Sequence, residues 1–311
     1  MSVSAICVLG GSGFVGHRLC AELVKRGHRI RILSRHRERC RDLLVLPGTQ
    51  IVECDVHDMS RLGDCVRGCK AVINLVGILN ENGHKGEGFR RAHVELTHKV
   101  IETCRSHKVP RLLHMSALNA SLEGKSFYLR TKGEAENYAH AAGKQIAVTS
   151  FRPSVIFGPH DNFLNRFAVL LKLVPGIFPL ACADAMMAPV YVGDVARVMA
   201  DALDDPETFG ARIDLCGPKK YTLKQLVGYT AELSGSKTKV LGLPKGLSKL
   251  QAYFFEFVPG KPFSVDNFHS LQTHSTCPGE EHCPTPLEAV APSYLSDQSR
   301  HVHYDRFRSK R

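Results

Sequence analysis

Three things are missing from this chain of 311 residues, which has no tryptophan, no long apolar run and no nucleic-acid-binding signature. The longest apolar candidate, Phe167–Val192, is interrupted by Lys172, Pro175, Pro179 and Asp184, whereas a membrane-spanning helix needs about 18 or more apolar residues in succession. No apolar leader precedes the first strand, so we expect no signal peptide and no transmembrane segment. A nucleic-acid partner is not expected either.

The charge balance points to anionic ligands. The formal net charge is +11, and such an excess attracts phosphorylated molecules and anionic surfaces. A dinucleotide and an anionic partner such as a membrane surface are therefore expected. We expect a cytoplasmic location.

The cysteines favour a reducing compartment over a disulfide framework, because no secretory leader accompanies them. Most of the eleven are expected to be small buried hydrophobic residues in apolar segments, as for Cys7, Cys20, Cys104 and Cys216. Cys277 and Cys283 lie near His274 and His282, but their spacing fits no standard zinc motif. A loop without metal is the preferred interpretation there.

The first half of the chain alternates between strand and helix patterns, which predicts an α/β fold with a doubly wound parallel sheet of the Rossmann type. The predicted strands are Ile6–Leu9, Ile30–Ser34, Ile51–Cys54, Ala71–Leu75, Leu112–Met115 and Ala147–Phe151. We expect a dinucleotide-binding domain over residues 1–155, a smaller mixed α/β lobe over 156–266, not strictly sequential, and an extended C-terminal arm over 267–311 that ends in the basic stretch Arg300–Arg311.

The most informative stretch is the glycine turn after the first strand. Gly10, Gly13 and Gly16 are spaced G-x-x-G-x-x-G and open an apolar helix that begins with Phe14 and Val15. Glycines allow the backbone to approach a pyrophosphate, and the first helical N–H groups point at the anion. A plain strand–helix turn without a ligand is the alternative.

The end of the second strand bears on the choice of cofactor. NAD sites usually carry a carboxylate about 20 residues after the glycine turn, but Ser34 and Arg35 stand there, followed by Arg37 and Arg39. Because guanidinium pairs with a 2′-phosphate, NADP(H) is favoured over NAD(H). Alternatively, these arginines form a solvated helix start.

Further cofactor contacts are expected where later strands end. Asp55 and Val56 would lie beside the adenine, unless Asp55 is only a helix cap. The remaining expected contacts are Leu75, Val76 and Gly77 after the fourth strand, and Pro153 after the sixth.

Tyr128 and Lys132 form a Y-x-x-x-K motif after the fifth strand. Spacing of four puts both on one helix face, and a nearby ammonium favours the phenolate, so Tyr128 suits a general acid or base. Ser116 is the nearest hydroxyl that could polarise a carbonyl; Ala117 follows it, and Asn119 and Ser121 are the alternatives for this role. A surface Tyr–Lys pair is the alternative.

With these residues the chain resembles the extended or atypical short-chain dehydrogenase/reductase superfamily over nearly its whole length. More narrowly, it resembles the branch that contains the Rossmann-fold accessory subunit of respiratory complex I, the alpha-subcomplex subunit 9 family, and its bacterial relatives. The matching stretches are Asn74–Gly77, Tyr128–Glu136, Arg152–Pro159, Asp161–Phe167, Pro189–Ala196 and Pro284–Leu287. The resemblance implies a tightly held NADP(H), a respiratory-chain or membrane-surface partner and, as the alternative to a cytoplasmic location, a peripheral one at an inner membrane.

Three functions follow in order of preference. The first is an NADP(H)-dependent oxidoreductase that uses Tyr128, Lys132 and Ser116. The second is a non-catalytic nucleotide-binding structural or assembly protein related to the complex I subunit. The third is a nucleotide-sugar epimerase or dehydratase, which ranks last because only Arg166 and Arg197 are candidate diphosphate ligands in the small lobe.

Overall fold

The computed structural model describes residues 4–174, 176–279 and 283–296, except for the side chain of Arg39. Its centre is a seven-stranded sheet in the order β11-β6-β5-β4-β1-β2-β3. The strands are β1 Ile6–Leu9, β2 Ile30–Ser34, β3 Thr49–Glu53, β4 Ala71–Asn74, β5 Arg111–Met115, β6 Ala147–Pro153 and β11 Arg212–Leu215.

All neighbours from β3 to β6 pair in parallel. The seventh strand, β11, is also parallel to its neighbour β6. The Ser150 N–H donates to Ala211 C=O and the Ser154 N–H donates to Leu215 C=O, so residue numbers increase in the same direction along both strands. The order reverses between β1 and β4, which opens a crevice at their carboxyl ends. The expected parallel α/β fold is therefore confirmed, with one strand more than the sequence pattern predicted.

The helical segments that accompany this sheet are α1 Phe14–Lys25, the 3₁₀ segment Arg37–Val45, α2 Met59–Val66, α3 Glu87–Phe89, the π-helical Arg90–Glu95, α4 Leu96–Ser106, α5 Phe127–Ala141, α7 Val192–Asp201 and the 3₁₀ turn Pro206–Thr208. Helix α5 begins at Phe127, because the Ser126 hydroxyl caps it by accepting the Leu129 N–H at 3.1 Å. Tyr128 is thus already helical.

The chain divides into two compact units. The first comprises Met1–Arg152 and Val195–Asp214, and the second comprises Pro153–Asp194 and Leu215–Arg311. The segment Val195–Asp214 supplies all of β11 but its last residue. Because this segment follows the start of the second unit in the sequence, the strand pattern of the first half of the chain does not include it.

The second unit contains short paired strands and helices. Its strand pairs are β7 Ile156–Phe157 with β10 Val190–Tyr191, β8 Ile177–Leu180 with β13 Lys239–Gly242, and β9 Met186–Met187 with β12 Tyr221–Thr222. Its helices are α6 Leu164–Leu173, α8 Leu223–Leu233, α9 Lys245–Glu256, α10 Val265–Ser270, α11 Leu287–Val290 and α12 Pro292–Leu295. Within the described ranges, no helix is long and apolar enough to cross a membrane.

Two buried carboxylates, those of Asp161 and Asp194, cross-link distant segments of the second unit by hydrogen bonds. Asp161 accepts the N–H groups of Phe163 and Asn165 and the hydroxyl of Tyr294 at 2.8 Å. Asp194 accepts both the N–H and the hydroxyl of Thr285 at 2.9 Å. Asp161 therefore joins segments 133 residues apart along the chain, and Asp194 joins segments 91 residues apart.

Two expectations for the C-terminal region are wrong. Residues 267–270 are not part of an extended arm, since α10 includes them and Phe268 is buried. Cys216 and Cys277 are not free thiols but form a disulfide, while Cys283 is a buried free cysteine. The two partners are 61 residues apart, so no local spacing indicates the pair. His282 and the basic stretch Arg300–Arg311 lie outside the described residues.

Candidate functional site

The glycine turn joins β1 to α1 tightly. Gly10 has a φ of +77°, and its carbonyl accepts the Gly13 N–H at 3.0 Å. A Cβ atom on Gly16 would collide with the carbonyl oxygens of Gly10 and Gly11. The N-cap of α1 is Gly13, which has no side chain to accept a hydrogen bond. The first-turn N–H groups at Phe14 and Val15 are therefore not satisfied by a capping side chain and suit an anion.

Gly10 also lies against the end of β4, at the point where the strand order reverses. A Cβ atom on Gly10 would be 3.2 Å from the Leu75 carbonyl carbon and from the Val76 nitrogen. The Leu75 N–H donates to Leu9 C=O at 3.0 Å, and the Val76 N–H donates to the Asn74 side chain at 3.1 Å. The structure therefore brings the glycine turn and the expected contacts after β4 together.

Arg35 follows β2 and Asp55 follows β3, and the two side chains are close enough for their charges to interact. The Ser34 hydroxyl accepts the His36 N–H at 3.3 Å, whereas Arg35 is exposed. The Asp55 carboxylate accepts the His57 N–H at 3.0 Å. That hydrogen bond lowers the pKa of Asp55, and the positive charge of Arg35 acts in the same direction.

Asp55 does not cap the following helix. The cap of α2 is Asp58, whose carboxylate accepts the N–H groups of Ser60 and Arg61. Asp55 instead closes a short turn and stays exposed, next to half-buried Val56.

Tyr128 and Lys132 lie one turn apart on α5, as the spacing predicts. The Tyr128 ring is half-buried and packs edge-on against Phe89 and His93, with centroids 6.2 and 5.7 Å away. Lys132 is only 4% exposed, and its Nζ donates to Met115 C=O at 2.9 Å. Burial lowers the pKa of Lys132 to about 8, so the ammonium form still predominates at neutral pH.

His93 fixes the loop that follows β4. Its Nε2 accepts the Ile78 N–H at 3.1 Å, so its Nδ1 carries the proton and donates to the Thr131 hydroxyl at 2.9 Å. Burial lowers the pKa of His93 to about 2, and the charge of Lys132 adds to this effect. His93 is therefore a neutral positioning group beneath the Tyr128 ring.

Ser116 lies on the buried side of the same region. It is 2% exposed, and its hydroxyl makes no hydrogen bond of ordinary geometry to any residue that the structure describes. It nevertheless lies close enough to the Glu136 carboxylate to help lower the pKa of that group. His114, two residues earlier on β5, has no hydrogen-bond partner for either ring nitrogen among the described residues. Burial lowers the pKa of His114 to about 3.

Glu136 anchors a charged cluster that the sequence argument missed. Burial by itself would raise its pKa, but hydrogen bonds from Arg152 and Arg212 hold the pKa below its usual value. Arg152 Nε donates at 2.9 Å and Arg212 Nε at 2.6 Å. A sequence pattern that could have indicated this cluster is present. Polar residues recur at intervals of four along α5 and so share one helix face: Tyr128, Lys132, Glu136 and His140.

Pro153 is half-buried and is the last residue of β6. It belongs to the second unit, whereas the other expected site residues belong to the first. No group of three His, Cys, Asp or Glu side chains suited to a metal is present within the described part of the chain.

The sequence profile of the NAD dependent epimerase/dehydratase family matches residues 6–215. The chain belongs to this family. Its relatives include the NADH dehydrogenase (ubiquinone) 1 alpha subcomplex subunit 9 of Mus musculus, which is 28% identical over 92% of this chain and 79% of its own length. A 2-alkyl-3-oxoalkanoate reductase of Stenotrophomonas maltophilia is 30% identical over 51% of this chain and 53% of its own length.

Solved structures of this family share the fold. A double mutant of the dTDP-glucose 4,6-dehydratase of Streptomyces venezuelae has a TM-score of 0.70 at 18% identity, over 93% of this chain and 95% of its own. The UDP-glucose 4-epimerase of Thermus thermophilus, in complex with NAD, has a TM-score of 0.66 at 20% identity, over 85% and 98%.

Proposed function

We propose that this protein is an NADP(H)-binding oxidoreductase of the short-chain dehydrogenase/reductase type. The observation that carries the proposal is the placement of Lys132. Its buried ammonium lies beside Gly77 at the end of β4 and one helical turn from Tyr128. A buried amine with a single short hydrogen bond to a carbonyl is costly to maintain as a purely structural group, which favours a function.

The residues present fit a dinucleotide, because α1 begins without a side-chain cap at a turn that only glycines allow. The proposed contacts of the pyrophosphate are Gly10, Gly13, Phe14, Val15 and Gly16, those of the 2′-phosphate are Ser34 and Arg35, and those of the adenine are Asp55 and Val56. The proposed contacts of the nicotinamide half are Leu75, Val76, Gly77, Tyr128, Lys132 and Pro153. When bound, the nicotinamide donates or accepts the hydride.

Tyr128 is proposed to move the proton. Its ring is held at a fixed angle by Phe89 and His93, and the Lys132 ammonium favours the phenolate over the phenol. Tyr128 then protonates a carbonyl oxygen during reduction, or removes the hydroxyl proton of an alcohol during oxidation. Ser116 is the proposed second donor to that oxygen.

The test begins with mass spectrometry of the nucleotide released from the purified protein. Released or added NADPH is then offered ketones, aldehydes and quinones, and its absorbance is followed. We expect turnover that Tyr128→Phe lowers by about a hundredfold or more, in line with the loss of a general acid. Tyr138→Phe is the matched control, because Tyr138 lies on the same helix but stacks on His98. Failure to bind any nucleotide would refute the proposal.

A second function is favoured by one specific observation. The relatives that cover 92% of this chain are named as subunits of a ubiquinone-linked NADH dehydrogenase. A nucleotide-binding structural or assembly role in a respiratory complex would fit that similarity, and it requires no exposed carbonyl-polarising hydroxyl. Bound nucleotide that no acceptor oxidises, together with copurification of respiratory-chain subunits, would establish this function in place of the first.

A further inference from the structure

Helix α9, Lys245–Glu256, presents large apolar side chains to solvent. Its exposed apolar side chains, together with that of the residue that follows the helix, are Leu247, Leu250, Tyr253, Phe254 and Phe257. Phe254 is 68% exposed and Phe257 is 79% exposed. At 3.6 residues per turn these five positions fall within an arc of about 120°. They are called the α9 face below.

The opposite side of α9 is the one that packs against the second unit, and it is small and polar. Ser248 is 1% exposed, accepts the Cys182 N–H and donates to Leu243 C=O, both at 3.1 Å. Ala252 is fully buried, and Gln251 donates to Pro179 C=O at 2.9 Å. A surface helix of a globular protein ordinarily buries its apolar stripe. In α9 this orientation is reversed, so the α9 face is not needed for the core.

The stretch of chain that carries α9 is basic. Residues 237–261 contain five lysines and a single acidic residue, Glu256. Glu256 is turned away from solvent, since its side chain is 11% exposed and accepts hydrogen bonds from Lys261 and from the Val265 N–H. Lys245 and Lys249 are exposed on the helix itself.

From this arrangement we infer that the α9 face is a docking surface for an anionic lipid bilayer. Leucine and aromatic side chains on one face, with lysines outside that face, are the composition of helices that lie in the plane of a membrane surface. Lys249 borders the α9 face, because its Nζ lies 5.9 Å from the ring centroid of Tyr253. The lysines would meet the anionic headgroups while the apolar arc enters the acyl boundary. With 12 residues, about 18 Å of helix, α9 is too short to span a bilayer and suited to lie on it.

A bilayer fits better than a protein groove for a physical reason. A partner protein would ordinarily surround an apolar centre with a polar rim, whereas the exposed charges of α9 itself are those of Lys245 and Lys249, which favour an anionic surface. The inference is independent of the nucleotide chemistry proposed above. The net charge suggested a membrane-surface partner, and the α9 face is the surface proposed to bind it.

The absence of tryptophan from the chain permits a direct test. Phe254→Trp places a single indole on the α9 face, and Leu122→Trp places one at an exposed apolar residue of the first unit. Each full-length variant is mixed with vesicles of phosphatidylcholine containing about 30% phosphatidylglycerol, or of phosphatidylcholine alone, at low and high salt. Fluorescence and flotation are recorded.

We expect the Phe254→Trp emission to shift to the blue only with the anionic vesicles, with the shift reduced at high salt, while Leu122→Trp does not change. In the tryptophan-free background, Leu250→Ser/Phe254→Ser should lower the vesicle partition coefficient by about tenfold or more, and Lys245→Glu/Lys249→Glu should lower it similarly. Circular dichroism and nucleotide content should remain those of the parent protein.

Two results would overturn the inference. A blue-shifted Phe254→Trp emission without vesicles that depends on protein concentration would mean that a second copy covers the α9 face. If the protein did not float with anionic vesicles, the α9 face would not bind lipid, and a partner protein would be the occupant instead. Because nucleotide release and turnover are measured separately, failure here does not imply failure of the proposed oxidoreductase, and the converse also holds.

Discussion

A Cβ atom on Gly77 would lie 3.0 Å from Nζ of Lys132 and 3.5 Å from its Cε. The residue at position 77, three residues after the end of β4, must therefore be small for the buried ammonium to keep its position. Nζ is also held by Met115 C=O, at the end of the neighbouring strand β5. The Tyr–Lys motif on α5 is thus positioned by the carboxyl ends of two adjacent strands.

Gly77→Ala tests that relationship. The methyl group should displace the ammonium by a few tenths of an ångström, so we expect the dissociation constant for NADP(H) to rise by about tenfold, equivalent to about 1.4 kcal/mol. Isothermal titration calorimetry measures it. The control is Gly228→Ala on α8, where an added Cβ meets nothing within 4 Å. That change should leave nucleotide affinity alone and raise the free energy of unfolding by up to about 1 kcal/mol.

The buried carboxylate of Glu136 should be important for stability. Glu136→Gln leaves Arg152 and Arg212 without their anionic partner, and the loss of one partner of a buried pair costs about 3–5 kcal/mol. Because both guanidiniums are partly exposed, we expect a smaller loss of about 2–3 kcal/mol in chemical denaturation, at or below the lower end of that range.

Glu134→Gln is the matched control for this substitution. Glu134 lies two residues away on the same helix and pairs with Arg90 at the surface, so its replacement should cost less than about 0.5 kcal/mol. Equal losses for the two variants would contradict a structural role for the Glu136 cluster.

The free energy of unfolding should fall as the pH drops below about 6.5. Burial lowers the pKa of His93, His114 and His140 to about 2, 3 and 4, whereas the unfolded chain titrates its histidines near 6.5. The unfolded state therefore binds more protons in this window. The stabilising contribution is complete above about pH 6.5 and is lost as the pH falls toward those lower values, at about 1.4 kcal/mol per pH unit for each histidine.

Denaturation of the wild type and of His114→Gln between pH 6.5 and pH 5 separates one of these groups. The slope of the unfolding free energy against pH should be smaller in the variant by about 1.4 kcal/mol per pH unit, which corresponds to one proton fewer taken up on unfolding. An unchanged slope would show that His114 titrates alike in the folded and unfolded states.

Arg35 should decide between the two dinucleotides. Arg35→Ala removes the proposed partner of the 2′-phosphate, and we expect the dissociation constant for NADPH to rise by about 10–100-fold while that for NADH changes little. Arg29→Ala at the other end of β2 is the control, because Arg29 is also exposed but precedes the strand. Equal weakening of both cofactors would contradict the assignment to the 2′-phosphate.

Local signals were sufficient for much of the site. The run from Ile6 to Gly16 predicted a strand, a glycine turn and a helix, and the structure contains them in that order. The spacing of Tyr128 and Lys132 predicted a shared helix face for the same reason, since neighbours within one turn are determined by the backbone period alone. The functional roles of these residues remain predictions.

Other features depended on residues far apart in the chain. The capping alternative for Asp55 could not be decided until the structure assigned the cap of α2 to Asp58. The partners of Glu136 come from β6 and β11, and those strands are neighbours only because residues 195–214 return to the first unit. The outward orientation of α9 could not be predicted either, because an apolar stripe has the same period whichever way it faces.

The sequence by itself determined the parallel α/β order, the glycine turn and the Tyr–Lys spacing, because each follows from the backbone conformations and periodicity of neighbouring residues. Only the tertiary structure decided the seventh strand, the Cys216–Cys277 disulfide, the charge cluster around Glu136 and the solvent exposure of the α9 face. These are pairings between residues distant along the chain, and the free energy that selects them comes from burial and charge compensation that no local pattern records.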